Sequence, residues 1–176
     1  MKQYVLMIII MTPIIASIIW LYLFQTAPKD FKEPIETIGT VLNFINATRG
    51  SDAEIIYYVE GKEYVTKTLN DEGMAKGDRY ILIFEKENPQ KCEVLLERPV
   101  FLNGEEVRES EGIIKKVSKI AKDFVRYEYI IEGKTYSRTQ LLSKEFKPIV
   151  GQKYVVYYWV ENPQRAIIYL DKLLQK

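Results

Sequence analysis

From Val5 to Phe24 the chain runs 20 residues without a charge, and past residue 37 it breaks into short alternating runs. As a helix, an uncharged run of that length spans about 30 Å, the thickness of a bilayer's hydrocarbon core. Pro13 would kink such a helix, which lipid tolerates, and Trp20 and Tyr22 suit its interfacial end. The pattern predicts a transmembrane anchor over residues 1–25, with residues 5–24 in the membrane. A cleaved signal peptide is the rival reading. It fits less well, because Leu21-Tyr22-Leu23-Phe24 is bulky up to the polar boundary and Pro28 follows a poor cleavage site. A short N-terminal tail is expected to stay inside, which places the rest of the chain outside the cytoplasm. Residues 26–37, with Pro28, Pro34 and mixed charge, read as an irregular tether.

Beyond the tether the apolar residues recur with strand periodicity. Val125, Tyr127, Tyr129 and Ile131 alternate with Arg126, Glu128 and Glu132, the period of a half-buried strand, with Ile130 the exception. Ile55 to Val59 is rich in β-branched and aromatic residues, Glu60-Gly61-Lys62 supplies a hairpin turn, and Glu63 to Leu69 returns. Tyr80 to Phe84 is apolar on both faces, the mark of a central strand. Asn88-Pro89 is expected to end it, with a short last strand at Val94 to Leu96. The second half predicts strands at Thr135 to Leu142, Tyr154 to Val160 and Ala166 to Leu170.

The two halves say the same thing twice. Tyr57-Tyr58-Val59-Glu60-Gly61-Lys62-Glu63-Tyr64 returns as Tyr129-Ile130-Ile131-Glu132-Gly133-Lys134-Thr135-Tyr136, 72 residues on. Gly39 returns as Gly112, Gly77 as Gly151, and Glu87-Asn88-Pro89-Gln90 as Glu161-Asn162-Pro163-Gln164, at offsets of 73, 74 and 74. That is an internal duplication. It assigns repeat 1 to residues 38–96, a connector to 97–110 and repeat 2 to 111–176. It also decides residues 113–124, whose spacing alone fits a basic amphipathic helix. Their counterpart, Thr40 to Thr48, has no lysine stripe, so strand is the better reading. The predicted fold is all-β apart from the N-terminal helix. Each repeat offers about five antiparallel strands, enough to close or nearly close a small barrel. Two tandem barrel-like units, or one sandwich built from both copies, fit equally.

These residues resemble an uncharacterised bacterial family of membrane-associated β domains. Its pattern runs Gly-x-Val, a tyrosine-rich strand, Gly-Lys-x-Tyr, Val-Gly and Asn-Pro. The first copy matches at Gly39, Val41, Gly61, Lys62, Tyr64, Gly77, Asn88 and Pro89. The second matches at Gly112, Ile114, Gly133, Lys134, Tyr136, Val150, Gly151, Tyr157, Asn162 and Pro163. Lys76 and Ile83 depart from it. The resemblance implies a β fold and membrane association. It implies no activity and no catalytic residues.

Composition narrows the chemistry. The chain has no histidine and one cysteine, Cys92, which removes Ser-His-Asp and Cys-His catalysis, an ordinary zinc site and an intrachain disulfide. Cys92 reads as a small core residue. A net charge of +1 is no nucleic-acid footprint. Gly133-Lys134-Thr135 imitates a phosphate loop, but Glu128 stands where that loop needs glycine. Asn46-Ala47-Thr48 matches a glycosylation acceptor by chance. Glu60 and Glu132, at duplicated turns, read as duplicated surface charge rather than an acid/base pair. No catalytic, cofactor or metal residue is expected. Tyr157, Tyr158 and Trp159 are the expected interaction surface, because three consecutive aromatics cannot all face one core. The expected function is a membrane-tethered, non-enzymatic β protein of the cell envelope that binds a protein partner. The alternative is an immunity-type inhibitor of a membrane-acting toxin.

Overall fold

The computed structural model describes residues 30–47, 50–69, 73–118, 123–143 and 145–174. The apolar run at residues 5–24 and the tether up to residue 29 lie outside the described residues. Among those described, no helix is long and apolar enough to cross a membrane.

Ten strands follow one another: β1 Pro34–Ala47, β2 Gly50–Val59, β3 Lys62–Leu69, β4 Arg79–Glu85, β5 Asn88–Pro99, β6 Val107–Ser118, β7 Phe124–Ile131, β8 Lys134–Leu141, β9 Lys153–Trp159 and β10 Asn162–Leu173. They form two antiparallel five-stranded sheets, ordered β3-β2-β1-β4-β5 and β8-β7-β6-β9-β10. The second order is the first with every strand replaced by its counterpart. In each sheet a long first strand sits at the centre, and the edge strands curl toward each other without pairing. The result is two half-barrels, one per copy, rather than a sandwich shared between them.

The duplication holds at the level of single contacts. Glu60 and Glu132 both have φ 50°, and Gly61 and Gly133 have 78° and 79°, so each hairpin turns through two left-handed residues. Glycine takes that conformation freely, and such turns match the twist of the flanking strands. Val41 N–H donates to Asp78 and Gly77 N–H to Val41; Ile114 and Gly151 repeat the pattern with Gln152 and Ile114. The β1–β2 register slips between Val41 and Asn43, and the β6–β7 register between Ile114 and Lys116. Tyr57 stacks on Tyr64 at 5.6 Å, and Tyr129 on Tyr136 at 5.5 Å.

Each half-barrel has its own core. Ile114, Val125, Tyr127, Tyr129, Tyr154, Val156, Ala166 and Ile168 fill the second. The first divides around Val41, Ala53, Ile55 and Tyr80, and around Tyr57, Leu82, Phe84 and Cys92. Cys92 is buried there as a free thiol. Strand β4 buries Tyr80, Leu82 and Phe84 and half-buries the residues between, as its two-faced sequence predicts.

Several boundaries differ from the expectation. Repeat 1 begins at Pro34, not residue 38: Pro34 to Thr37 continue β1 along β4, and proline at a strand's first position forfeits no needed N–H. The connector shrinks to residues 100–106, because β5 runs to Pro99 and β6 starts at Val107. Asn88-Pro89 does not end a strand but opens β5. The ladder is irregular there, so no partner requires the proline's missing donor. Asn162-Pro163 opens β10 in the same way. Outward polar residues such as Gln90 and Glu93 hid the length of β5 from an apolar count. Residues 113–118 are strand; residues 119–122 lie outside the described set.

Candidate functional site

Where the halves meet, the sequence places charges that a core avoids. The turn before β4 is closed by its own residue: Asp78 N–H donates to Ala75, and the Asp78 carboxylate accepts from Ala75 N–H at 2.6 Å. Gly77, at φ 86°, makes this turn, and its open α-carbon faces Arg165 of the second copy. Asp78 is thereby pointed across the junction. Its Oδ2 accepts from Arg138 Nη2 of β8 at 2.7 Å, and its Oδ1 lies 3.8 Å from Arg165 Nε of β10. Arg165 Nη1 donates to Glu105 of the connector at 3.1 Å, and Glu105 also pairs with Arg79 of β4.

The cluster is nearly dry. Side-chain exposure is 8% for Asp78, 10% for Arg138, 2% for Arg165 and 12% for Glu105. The Arg165 guanidinium lies 4.2 Å from the Trp159 ring centre, which offsets part of its lost hydration. Burial opposes the charge on Arg138, yet the Asp78 carboxylate outweighs it and holds the guanidinium more firmly protonated than usual. Burial pushes the Glu105 carboxyl up, but Arg79, the Leu102 N–H and Arg165 together hold it below the ordinary range. Burial also raises the hydroxyls of Tyr80, Tyr127 and Tyr129, which stay neutral. Two buried donors, Arg138 Nε and Arg165 Nε, have no hydrogen-bond partner.

The seam of the second half-barrel lies beside this cluster. Strands β8 and β10 do not pair, and side chains bridge them instead. Arg138 Nη1 donates to the Gln164 carbonyl at 2.8 Å, while Gln140 donates to the Ile168 carbonyl and accepts from its N–H. Tyr127 and Tyr129 hydroxyls donate to the Ala166 and Pro163 carbonyls. Toward the β7–β8 turn the seam stays open as a slot of about 280 Å³. Lys134 to Arg138 and Gln164 form one side, the Tyr129–Tyr136 pair lines it, and the loop Gly73-Met74-Ala75 of the first copy walls the other. The loop is tight against β8: a side chain at Gly73 would meet the Thr139 carbonyl at 2.4 Å.

Tyr157, Tyr158 and Trp159 do not make one surface. Tyr158 turns inward onto the second core. Tyr157 faces out, packs edge-on against Tyr169 at 5.0 Å and donates to Glu109. Trp159 lies against Arg165. All three are half-buried. Glu60 and Glu132 stand exposed, each at its own turn, and Gly133-Lys134-Thr135 is a hairpin leading into β8. Among the described residues no group of three or more Cys, Asp or Glu could hold a metal ion.

The residues at the junction escaped the sequence reading, although a signal was present. Two of their counterparts differ in kind: Asp78 stands opposite Gln152 and Arg138 opposite Thr66, while Arg165 stands opposite another cation, Lys91. Charges that a duplication does not repeat mark where the copies stop being equivalent. Comparison with family models, with curated proteins and with solved structures gives no match.

Proposed function

We propose that this chain is a membrane-tethered, non-enzymatic binding module of the cell envelope, akin to the bacterial β-domain family it resembles. Its partner is a protein that lays an extended segment along the open part of β8. The slot carries this reading. A strand edge without a backbone partner, flanked by a groove, is the geometry that recruits an added strand. The loop Gly73–Ala75 gives that groove a second wall. The uncharged run at Val5–Phe24 supports the tether.

A site-specific photo-crosslinker tests it in cells. Placed at the exposed Ser137 of β8, it should yield one adduct, mapped by mass spectrometry to one continuous segment of a single envelope protein. Placed at Val65, the matching position of β3, it should yield none. No adduct at 137, or the same adducts from both positions, would overturn the proposal.

A further inference from the structure

The slot is lined by two cations, Lys134 and Arg138, and by no acidic side chain. Arg138 is nine-tenths buried and has donors to spare. Its Nη1 serves the Gln164 carbonyl and its Nη2 serves Asp78, which leaves a second N–H on each; Nε is buried away from the slot. Guanidinium carries five N–H donors in a planar fork. Behind it the charges do not balance. Among the described residues, Arg79, Arg138 and Arg165 share Asp78 and Glu105, which leaves one positive charge in excess in a largely buried cluster whose most open member, Arg79, is 20% exposed. Uncompensated charge away from water is costly, and an anion alongside relieves it.

Lys134 adds a second charge at the exposed end, its Nζ 5.0 Å from the Tyr136 ring centre. Between the cations on the same face of β8 stands Tyr136, stacked on Tyr129, and the faces of this pair suit a short aliphatic stem. The first copy is the built-in control. Lys62 and the Tyr57–Tyr64 pair are present there, but Thr66 replaces Arg138.

We infer that the slot takes a carboxylate, supplied by the partner as an acidic side chain or as a chain terminus. This rests on the slot being where the partner docks. Planar carboxylate matches the guanidinium fork in a way a point charge does not. Lys134 then draws the group in from solvent.

The test is a titration of the isotope-labelled full chain, solubilised in detergent micelles and followed by backbone amide shifts. The probes are N-acetylglycinate for a terminus, N-acetyl-glutamate N-methylamide for a side chain, and inorganic phosphate. At least one carboxylate should move the amides of Thr135 to Arg138 and Gln164 saturably, and whichever binds tighter identifies the source. Lys134→Gln, at an exposed position, should weaken that binding about three- to fivefold, the scale of an exposed ion pair. Shifts that never saturate, that occur equally over Lys62 to Thr66, that ignore Lys134→Gln or that phosphate matches would overturn the assignment. Crosslinking at Ser137 with no carboxylate binding would sink this inference and leave the binding module standing. Saturable carboxylate binding with no crosslink would overturn the docking reading, and with it the partner as the source, and leave only a carboxylate site.

Discussion

In the first half-barrel Thr66 of β3 holds the position that Arg138 takes in β8, and the Tyr57 hydroxyl donates to the Pro89 carbonyl of β5. In the second, the seam between β8 and β10 is laced by Tyr127, Tyr129, Arg138 and Gln140, all bonded to β10 backbone. Strand order, hairpin turns, the register slip in the central pair and the buried glycines are the same in both. A duplicated chain keeps in both copies what each half needs to fold. What it keeps in one copy serves either that copy's own seam, as Gln140 does, or the junction. The turn Ala75–Asp78 shows this best. Its counterpart is closed by the same backbone bond, Gln152 N–H to Ile149. There the Gln152 side chain accepts from Tyr154, within its own half. The Asp78 carboxylate caps its own turn and also reaches Arg138 and Arg165 of the other half.

The comparison breaks most visibly at that pair. Asp78→Ala should cost about 3–5 kcal/mol, because Arg138 and Arg165 keep their charge while losing a buried partner. Gln152→Ala, at the matching turn, loses one neutral, partly buried bond and should cost about 1 kcal/mol. Chemical denaturation of both variants reads the difference. Similar losses would mean that the ion cluster contributes no more than an ordinary turn.

A smaller effect separates the two buried glycines. A methyl group on Gly112 would lie 2.3 Å from Val156 Cγ2, and one on Gly39 would lie 2.6 Å from Ile55 Cγ2. Overpacking of this kind costs about 1–3 kcal/mol. The obstacle comes from a different neighbour in each copy, β9 in the second and β2 in the first. The rescues should therefore not cross over. Val156→Ala should recover part of the loss from Gly112→Ala and none from Gly39→Ala, while Ile55→Ala should do the opposite. Coupling energies from the two cycles measure it, with neighbours expected to couple by more than about 0.5 kcal/mol and distant pairs by less.

These sites also mark what could be read from residues alone. The glycine spacing, the Gly-Lys-x-Tyr turns and the alternation of β7 are local, and they specified two β repeats of about five antiparallel strands but not whether the repeats form separate units or one sandwich. Strand ends were less legible, since Pro34 and Pro89 read as breakers until a partner strand shows that their missing N–H is not needed. The ion cluster is not local at all. Asp78 and Arg138 lie 60 residues apart and on different copies, and neither belongs to a motif. The slot follows from the same non-local packing: Lys134 and Tyr136 have counterparts in copy one, but the wall at Gly73–Ala75 comes from the other half.

The smallest predicted effect is the one the copies should share. Tyr57 and Tyr129 are each 1% exposed, and each donates its hydroxyl to the carbonyl of the proline opening the last strand of its sheet. Removing one hydroxyl with Phe should cost about 1 kcal/mol in either copy. The pH dependence carries the sharper signature. Burial pushes both hydroxyls well above the ordinary tyrosine range in the folded chain. An unfolded tyrosine releases its proton near pH 10. Above that pH the unfolded chain binds fewer protons than the folded one, so stability falls as pH rises. Below it the bond's contribution is fully present. Tyr57→Phe and Tyr129→Phe should each lose stability at pH 7 and show a shallower decline between pH 10 and 11.5 than the parent chain. Equal slopes in the two variants would confirm that this bond belongs to the duplicated scaffold. A flatter profile for Tyr129→Phe alone would place the hydroxyl with the slot it lines instead.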